Sequence, residues 1–318
     1  MNYMLAPSIL AFAVVYITRF LLVMRCDDWL IVWVGLEINM VRFVLIIFKR
    51  GDIIKRESAM KYFFIQGIGS ALFIRIFYLD REILRNISPF ILRYKMGGGP
   101  FYFWFPSLCE RISWGICLIL MTLQKIIPLI LMGRIIGVVV WWVGVRRIII
   151  GGVGILNQVK FKRLFAFSSI FHVGLVILGI LILEKIWFIY ILIYIFIIMC
   201  VVERVWGIEV EFIGQMFRNK INWVFIVRIL NIAGIPPLLG FFLKWMIFYW
   251  LVGEGVLMLT LLVLISVLMF YIYIRVVYDL VVGMRGLILN FEEEGRVKGE
   301  IIRMFGVIIG PVGIYLLM

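Results

Sequence analysis

Long apolar stretches constrain this chain more than any other feature. Eleven runs of about twenty mostly apolar residues follow one another with only short polar loops between them. The hydrocarbon core of a bilayer is about 30 Å thick, which roughly 20 helical residues cross. With 65% hydrophobic residues, 16% charged residues and a mean hydropathy of +1.13, the chain cannot cover a soluble surface with polar side chains. The pattern predicts an all-α, polytopic membrane helix bundle and excludes an ordinary soluble domain and a disordered chain.

The predicted spans fill almost the whole sequence. They cover approximately residues 5–24, 29–48, 58–79, 84–106, 112–132, 135–156, 164–183, 186–203, 222–250, 255–282 and 302–318. No gap between them is long enough for a soluble domain, and the longest polar segment, around 292–300, reads as a solvated loop. We therefore expect one transmembrane domain over residues 1–318, with about 11 transmembrane helices.

Basic residues collect on one side of this predicted bundle. Loops after even-numbered spans hold fourteen of them and loops after odd-numbered spans hold four. The first group is Lys49, Arg50, Lys55, Arg56, Arg111, Lys160, Lys162, Arg163, Arg204, Arg218, Lys220, Arg285, Arg296 and Lys298, and the second is Arg25, Arg81, Arg134 and Lys185. By the positive-inside rule, the N-terminus faces the cytosol or the mitochondrial matrix.

Several classes of site are excluded by composition. The single histidine, His172, rules out sites built from several histidines, and the four cysteines form no C-x-x-C pair. Neither of the glycine-rich phosphate-binding patterns occurs. We therefore predict no cofactor and no metal on this chain. The net charge of +14 follows from the loops and indicates no nucleic-acid partner.

Two predicted spans are interrupted by helix-breaking residues. The interruptions consist of Gly97, Gly98, Gly99 and Pro100 in the fourth span, and of Gly234, Pro236 and Pro237 in the ninth. They lie five spans apart, and a repeat with an odd number of spans is inverted in the membrane. Paired breaks in inverted halves, here approximately 5–132 and 135–282, indicate a transport site. The alternative is two unrelated kinks, because glycine and proline are frequent in membrane helices.

Four ionisable side chains fall inside predicted spans, each in a different one: Glu37, Lys95, Lys125 and Lys244. Such residues are costly in a membrane and mark functional sites by default. Burial disfavours an ammonium and a nearby carboxylate favours it, so buried lysines near an acid can exchange protons at neutral pH. The set therefore predicts a proton relay. Fixed ion pairs are the alternative, although one acid cannot neutralise three lysines.

Other polar residues inside spans are secondary candidates. Lys61 begins the third span, where it can extend to the membrane surface. His172 lies on the seventh span with Ser168 and Ser169. A lone histidine in this setting is more often a hydrogen-bonded packing residue, and an accessory relay role is the alternative.

Arginines inside the apolar runs fit the relay badly, because arginine does not deprotonate in proteins. They are Arg42, Arg75, Arg146, Arg147, Arg228 and Arg275. Misplaced span boundaries and lipid-headgroup contacts account for some of them. A reassigned arginine codon in an organellar gene is a further alternative, which peptide mass spectrometry over Arg146 and Arg147 tests.

Several motifs also carry a family resemblance. The strings are WVGLEINM (33–40), SAMKYFFIQ (58–66), KMGGGPFYFWFP (95–106), LQKIIPL (123–129), LNQVKFKRLFAFSSIFHVG (156–174) and GIPPLLGFFLKW (234–245). In this order, they resemble the subunit 2 family of mitochondrial NADH:ubiquinone oxidoreductase, the antiporter-like membrane-arm subunits of respiratory complex I. The resemblance covers residues 33–245, and its motifs are specific as a set.

The resemblance implies an architecture and residue roles. It implies two inverted five-helix repeats in a short form that lacks the first three helices of longer members. Glu37 matches the acid that pairs with the lysine of the first broken helix, which Lys95 matches. Lys125 matches the central connecting lysine, and Lys244 matches the lysine of the second broken helix. The abundant arginines and short loops depart from the family pattern.

It also implies a setting, with alternatives. The expected location is the mitochondrial inner membrane, with the N-terminus in the matrix. The expected partners are other membrane-arm subunits of complex I and membrane lipids such as cardiolipin. NADH, FMN, iron–sulfur clusters and ubiquinone are expected on other subunits, whose redox chemistry drives the relay. A stand-alone cation/proton antiporter and a purely structural membrane subunit are the competing hypotheses.

Overall fold

The computed structural model describes residues 16–18, 20–25, 28–49, 51–77, 81–98, 101–135, 137–182, 186–208, 223–236 and 238–285. All the regular secondary-structure elements of these residues are helices, which confirms the all-α prediction. They are α1 (Trp29–Ile47), α2 (Ile53–Phe77), α3 (Arg81–Lys95), α4 (Trp104–Arg111), α5 (Trp114–Met121), α6 (Leu123–Arg134), α7 (Val138–Gly154), α8 (Phe161–Ile182), α9 (Ile186–Ile208), α10 (Trp223–Ala233), α11 (Leu239–Leu251) and α12 (Val256–Arg285).

Each of the first ten predicted spans contains helix, and the last one, 302–318, lies outside the described residues. The count of eleven therefore stays a prediction. Within the described residues, five helical segments are long and apolar enough to cross a membrane. They are Trp29–Ile47, Trp114–Arg134, Phe161–Leu181, Trp187–Trp206 and Val256–Val281.

The chain divides into two compact units, Met1–Val143 and Gly144–Met318, with the boundary inside α7. In the first unit, α1 packs along α2, α2 packs on α3 and α4, and α3 packs on α6. Helix α1 shows why: Val32, Leu36, Met40 and Phe43 recur at helical spacing and are all buried. The predicted repeat boundaries stay a prediction.

In the second unit, α8 is the most enclosed membrane-spanning segment, with 94% of its most apolar window buried. It packs on α9 and α11, and α10 packs on α9, α11 and α12. A methyl group added at Gly151 of α7 would lie 2.6 Å from the backbone nitrogen of Phe171 in α8. Glycine at this position therefore lets the two helices approach closely, as in other membrane bundles.

Helices are interrupted at both glycine–proline segments. Helix α3 ends at Lys95, after which Gly97 takes a φ of +69° and Gly98 N–H donates to the carbonyl of Arg93. Helix α10 ends at Ala233, after which Gly234 takes a φ of +82°. Left-handed glycines of this kind end helices because they carry no Cβ. Pro236 lies in the second turn, and Gly99, Pro100 and Pro237 lie outside the described residues.

Candidate functional site

A polar-lined cavity lies inside the first unit, beside the break between α3 and α4. Its cavity volume is about 20 Å³, which is room for about one water molecule. Two of the predicted relay lysines, Lys95 and Lys125, line it together. The other lining residues are Leu36, Asn39, Met40, Tyr62, Gln66, Met96, Trp104, Phe105, Leu120, Gln124 and Pro128.

Lys95 is placed by the end of α3 and by its neighbours on α2. Its backbone carbonyl, which a broken helix leaves without the usual partner, accepts a hydrogen bond of 2.7 Å from Nε2 of Gln66. Its side chain passes Gly69 so closely that an added Cβ would lie 2.9 Å from Cγ of Lys95. The half-buried carboxylate of Glu37 on α1 interacts electrostatically with Lys95. The structure therefore places the predicted acid within electrostatic range of its lysine.

Lys125 is connected to the same break through an aromatic ring. Its Nζ lies 4.3 Å from the centroid of the Phe105 ring, within the range of a cation–π interaction. Phe105 belongs to α4, and a Cβ added at Gly97 would lie 2.5 Å from Cβ of Phe105. The turn at Gly97 thus sets the position of Phe105, and Phe105 contacts the ammonium of Lys125.

Two carboxamides complete the cavity wall. Asn39 and Gln124 are 6% and 8% exposed, and both line the cavity. Among the described residues, Oδ1 of Asn39 and both amide atoms of Gln124 find no hydrogen-bond partner. Buried polar groups are normally paired with protein or ordered water. The cavity is large and polar enough to hold at least one water molecule between the carboxamides and the lysines.

Lys244 is held differently, by the second break. Its Nζ donates a hydrogen bond of 2.6 Å to the carbonyl of Ala233, the last residue of α10. At the same break, the backbone N–H of Gly240 donates to Oδ1 of Asn231 at 2.8 Å. The Lys244 ammonium also lies 5.8 Å from the centroid of the Phe171 ring. The groups freed by the break therefore bind the side chains around them.

His172 belongs to a buried cluster of hydroxyl groups in the second unit. Its Nδ1 lies 2.8 Å from the hydroxyl of Tyr190, and its ring centroid lies 4.7 Å from that of Tyr194. Ser168 and Ser169 donate to the carbonyls three residues earlier. Tyr194 lies beside Ser169 and Arg147, and Tyr273 lies beside Ser168.

Lys61 lies at the exposed end of α2. Its Nζ is 2.6 Å from Oε1 of Glu57, and Nη1 of Arg111 is 2.7 Å from Oε2 of the same carboxylate. The hydrogen bonds from Lys61 and Arg111 lower the pKa of Glu57 to about 2. This group links α2 to α4 at the beginning of the predicted third span. Lys61 does not line the cavity.

The six arginines predicted inside spans separate into two groups. Arg42, Arg75, Arg146 and Arg275 are exposed on the outside of their helices, whereas Arg147 and Arg228 are buried. Arg228 donates to the carbonyl of Cys200 at 2.7 Å. Among the described residues, no group of three or more His, Cys, Asp or Glu could hold a metal ion.

Sequence reasoning from charge missed the uncharged members of the site. Asn39, Gln66 and Gln124 line the cavity, Phe105 contacts Lys125, and the carbonyl of Ala233 binds Lys244. The carboxamides carried a usable signal, because each is a polar residue within an apolar run. The roles of Phe105 and the Ala233 carbonyl depend on the geometry of the breaks and have no signal in the sequence.

The comparisons with known proteins agree with this architecture. Residues 90–269 match the family described as NADH:quinone oxidoreductase/Mrp antiporter, transmembrane. NADH-ubiquinone oxidoreductase chain 2 of Locusta migratoria is 31% identical over 272 residues, which cover 80% of each chain. Among solved structures, respiratory complex I from Thermus thermophilus with bound aureothin superposes with a TM-score of 0.70 at 21% identity, over 81% of this chain and 67% of that one. The membrane-bound sulfane sulfur reductase, an archaeal respiratory complex, has a TM-score of 0.75 at 16% identity, over 95% and 72%.

Proposed function

The chain belongs to the NADH:quinone oxidoreductase/Mrp antiporter family of transmembrane proteins, and on that basis we propose that it moves protons through a relay of buried side chains. It is a multi-pass mitochondrial membrane subunit of the complex I type, and other membrane-arm subunits are its partners. The relay residues are Glu37, Lys95, Lys125 and Lys244.

One observation carries the proposal. Lys95 and Lys125 come from different helices, are 6% and 3% exposed, and line one polar cavity near a carboxylate. Buried ionisable side chains in a membrane are costly and mark functional sites. A cavity that can admit water between them supplies the medium for proton transfer.

The mechanism uses the distance between Glu37 and Lys95. Near Lys95, the carboxylate stabilises the ammonium; when a conformational change withdraws it, the proton of Lys95 moves through cavity water to Lys125. Lys244 serves the second half of the path, and His172 and its hydroxyl neighbours are accessory groups. The N-terminus lies in the matrix in this scheme, because the basic loops follow the even-numbered spans.

The driving reaction takes place elsewhere. NADH oxidation and ubiquinone reduction, with FMN and iron–sulfur clusters, occur on other subunits, and this chain takes part in the enzyme reaction only as a subunit. Lipids such as cardiolipin bind at its exposed surface. In a stand-alone cation/proton antiporter the same scaffold would exchange ions without NADH.

The test begins with the native assembly. Mild-detergent extraction, native electrophoresis, in-gel NADH dehydrogenase staining and mass spectrometry should find the chain in a megadalton-scale active band. In that band, Glu37→Gln should lower proton pumping per NADH oxidised, whereas Lys49→Met, at a loop lysine with a 69% exposed side chain, should leave it unchanged. Normal proton pumping by the Glu37→Gln complex would contradict the relay. If Glu37→Gln instead reduced the amount of assembled complex and left its pumping normal, the purely structural alternative would be supported.

A further inference from the structure

Two neighbouring arginines in the middle of α7 face opposite environments. Arg147 is fully buried, at 0% exposure, and interacts electrostatically with Tyr194. Arg146 is exposed, and Ile149 and Val153 continue its face of the helix at 37% and 54% exposure. The outward face of α7, defined by Arg146, Ile149 and Val153, thus combines one charge with apolar side chains.

The depth of Arg146 sets it apart from the outward arginines Arg42 and Arg75. It is the central residue of a 17-residue helix, so about 12 Å of helix separate it from either end. That distance exceeds the length of an extended arginine side chain. Arg42 and Arg75 lie within the last two turns of α1 and α2. Those two can reach lipid headgroups by extending along the helix.

Hydrocarbon is therefore an unsuitable environment for the guanidinium of Arg146, which stays charged. Among the described residues, no carboxylate lies within ion-pair distance of it. A partner for this charge must present an acidic group at the same depth in the membrane. Since unpaired backbone is not tolerated there, the group has to stand on a membrane-spanning helix.

We propose that the outward face of α7 is a subunit interface of the membrane arm, where Arg146 pairs with an Asp or Glu on a membrane-spanning helix of a neighbouring subunit. The guanidinium and a carboxylate form paired, parallel hydrogen bonds that hold two helices in one register. Ile149 and Val153 pack against apolar side chains of the same helix. The interface is a property of assembly and does not depend on the relay.

The experiment uses the full complex and a zero-length cross-link. In Arg146→Lys, membrane-permeant dicyclohexylcarbodiimide should join the new amine to the partner carboxylate as an amide, with loss of water to the carbodiimide. Mass spectrometry should identify the joined peptide as a membrane-spanning segment of another subunit. Arg146→Gln supplies no amine, and Arg75→Lys supplies one in the last turn of α2; neither should yield this product.

Assembly provides the second measurement. Arg146→Leu should insert into the membrane but fall several-fold in the full-size complex on native gels, and Arg146→Lys should restore the amount. A cross-link within this chain or to lipid, or full assembly of Arg146→Leu, overturns the proposal. The proposal is also overturned if peptide mass spectrometry of the native protein shows a residue other than arginine at position 146. None of these results alters the pumping test of Glu37.

Discussion

The two broken segments use their breaks in different ways to hold a lysine. Lys95 precedes its break, and a carboxamide from α2 binds its backbone carbonyl. Lys244 follows its break, and its ammonium binds the carbonyl at the end of α10. In the first segment the break fixes the backbone of the lysine, whereas in the second it fixes the charged group itself.

The side chains around Lys95 and Lys244 also differ. Lys95 shares a cavity with Lys125 and lies near the carboxylate of Glu37. Lys244 lies near Phe171, whose ring centroid is 5.5 Å from that of His172. A lysine whose counterion can withdraw is suited to respond to a signal from a neighbour. A lysine bound to a backbone carbonyl keeps its position, which suits the terminal step of a path.

The largest expected effect lies at the centre of the first unit. Lys125→Met removes the one amine that shares the cavity with Lys95. We expect proton pumping by the assembled complex to fall by about tenfold or more, because Lys95 and Lys125 are the two amines among the described residues that line the cavity. Proton pumping is measured with a pH-sensitive dye in vesicles that contain the reconstituted complex. Loss of the complex from native gels, with normal pumping by the remainder, would instead favour a structural role.

The two glycine turns should differ in what an added methyl group costs. In Gly97→Ala the added methyl group would clash with Cβ of Phe105, which is fixed to the backbone, at an overpacking cost of about 1–3 kcal/mol. The positive φ of this residue costs alanine about 1–2 kcal/mol more. In Gly234→Ala the added Cβ would lie 3.1 Å from the flexible Nζ of Lys244 and 3.3 Å from the carbonyl oxygen of Gly240, both farther than the 2.5 Å at Gly97, so the overpacking cost is smaller. The temperature at which each variant leaves the complex measures the difference. Equal losses would show that Phe105 moves freely.

The sequence predicted the elements of both segments but not the contacts between them. Long apolar runs set the helices, because a membrane leaves few other solutions, and Lys95 and Lys125 stood out as charges in apolar surroundings. That the two line one cavity depends on how α3 and α6 pack. The partner of Lys244 was hidden, because a backbone carbonyl becomes available only where a helix ends. Arg146 and Arg147 are adjacent, yet the first is exposed and the second is buried. Sequence-based span boundaries are accurate only to a few residues, so they do not show which of the two arginines faces outward.

A smaller effect tests whether water in the cavity of the first unit takes part in proton transfer. Gln124→Leu removes an amide whose two polar atoms have no partner among the described residues. Without water, this change should be neutral or stabilising, because an unsatisfied buried amide costs about 1–3 kcal/mol. We expect unchanged assembly and a drop in pumping of about threefold to tenfold, with partial rescue by Gln124→Glu. Unchanged pumping would remove the carboxamide from the path.

The smallest expected effect concerns the exposed charge group of Glu57, Lys61 and Arg111 in the first unit. Glu57 joins Lys61 to Arg111 and so connects α2 to α4 next to the cavity. Because its pKa is lowered from 4.5 to about 2, its stabilising contribution is complete above about pH 4.5 and is lost as the pH falls toward 2. Between pH 6 and 8 we therefore expect no pH dependence from this group. Glu57→Gln should lower the dissociation temperature by only about 1 °C, because the group is exposed. The difference should vanish in 1 M salt, where charges are screened within about 3 Å. A large loss that persists in high salt would show that Glu57 holds α4, and with it Phe105 and Lys125, through contacts other than charge.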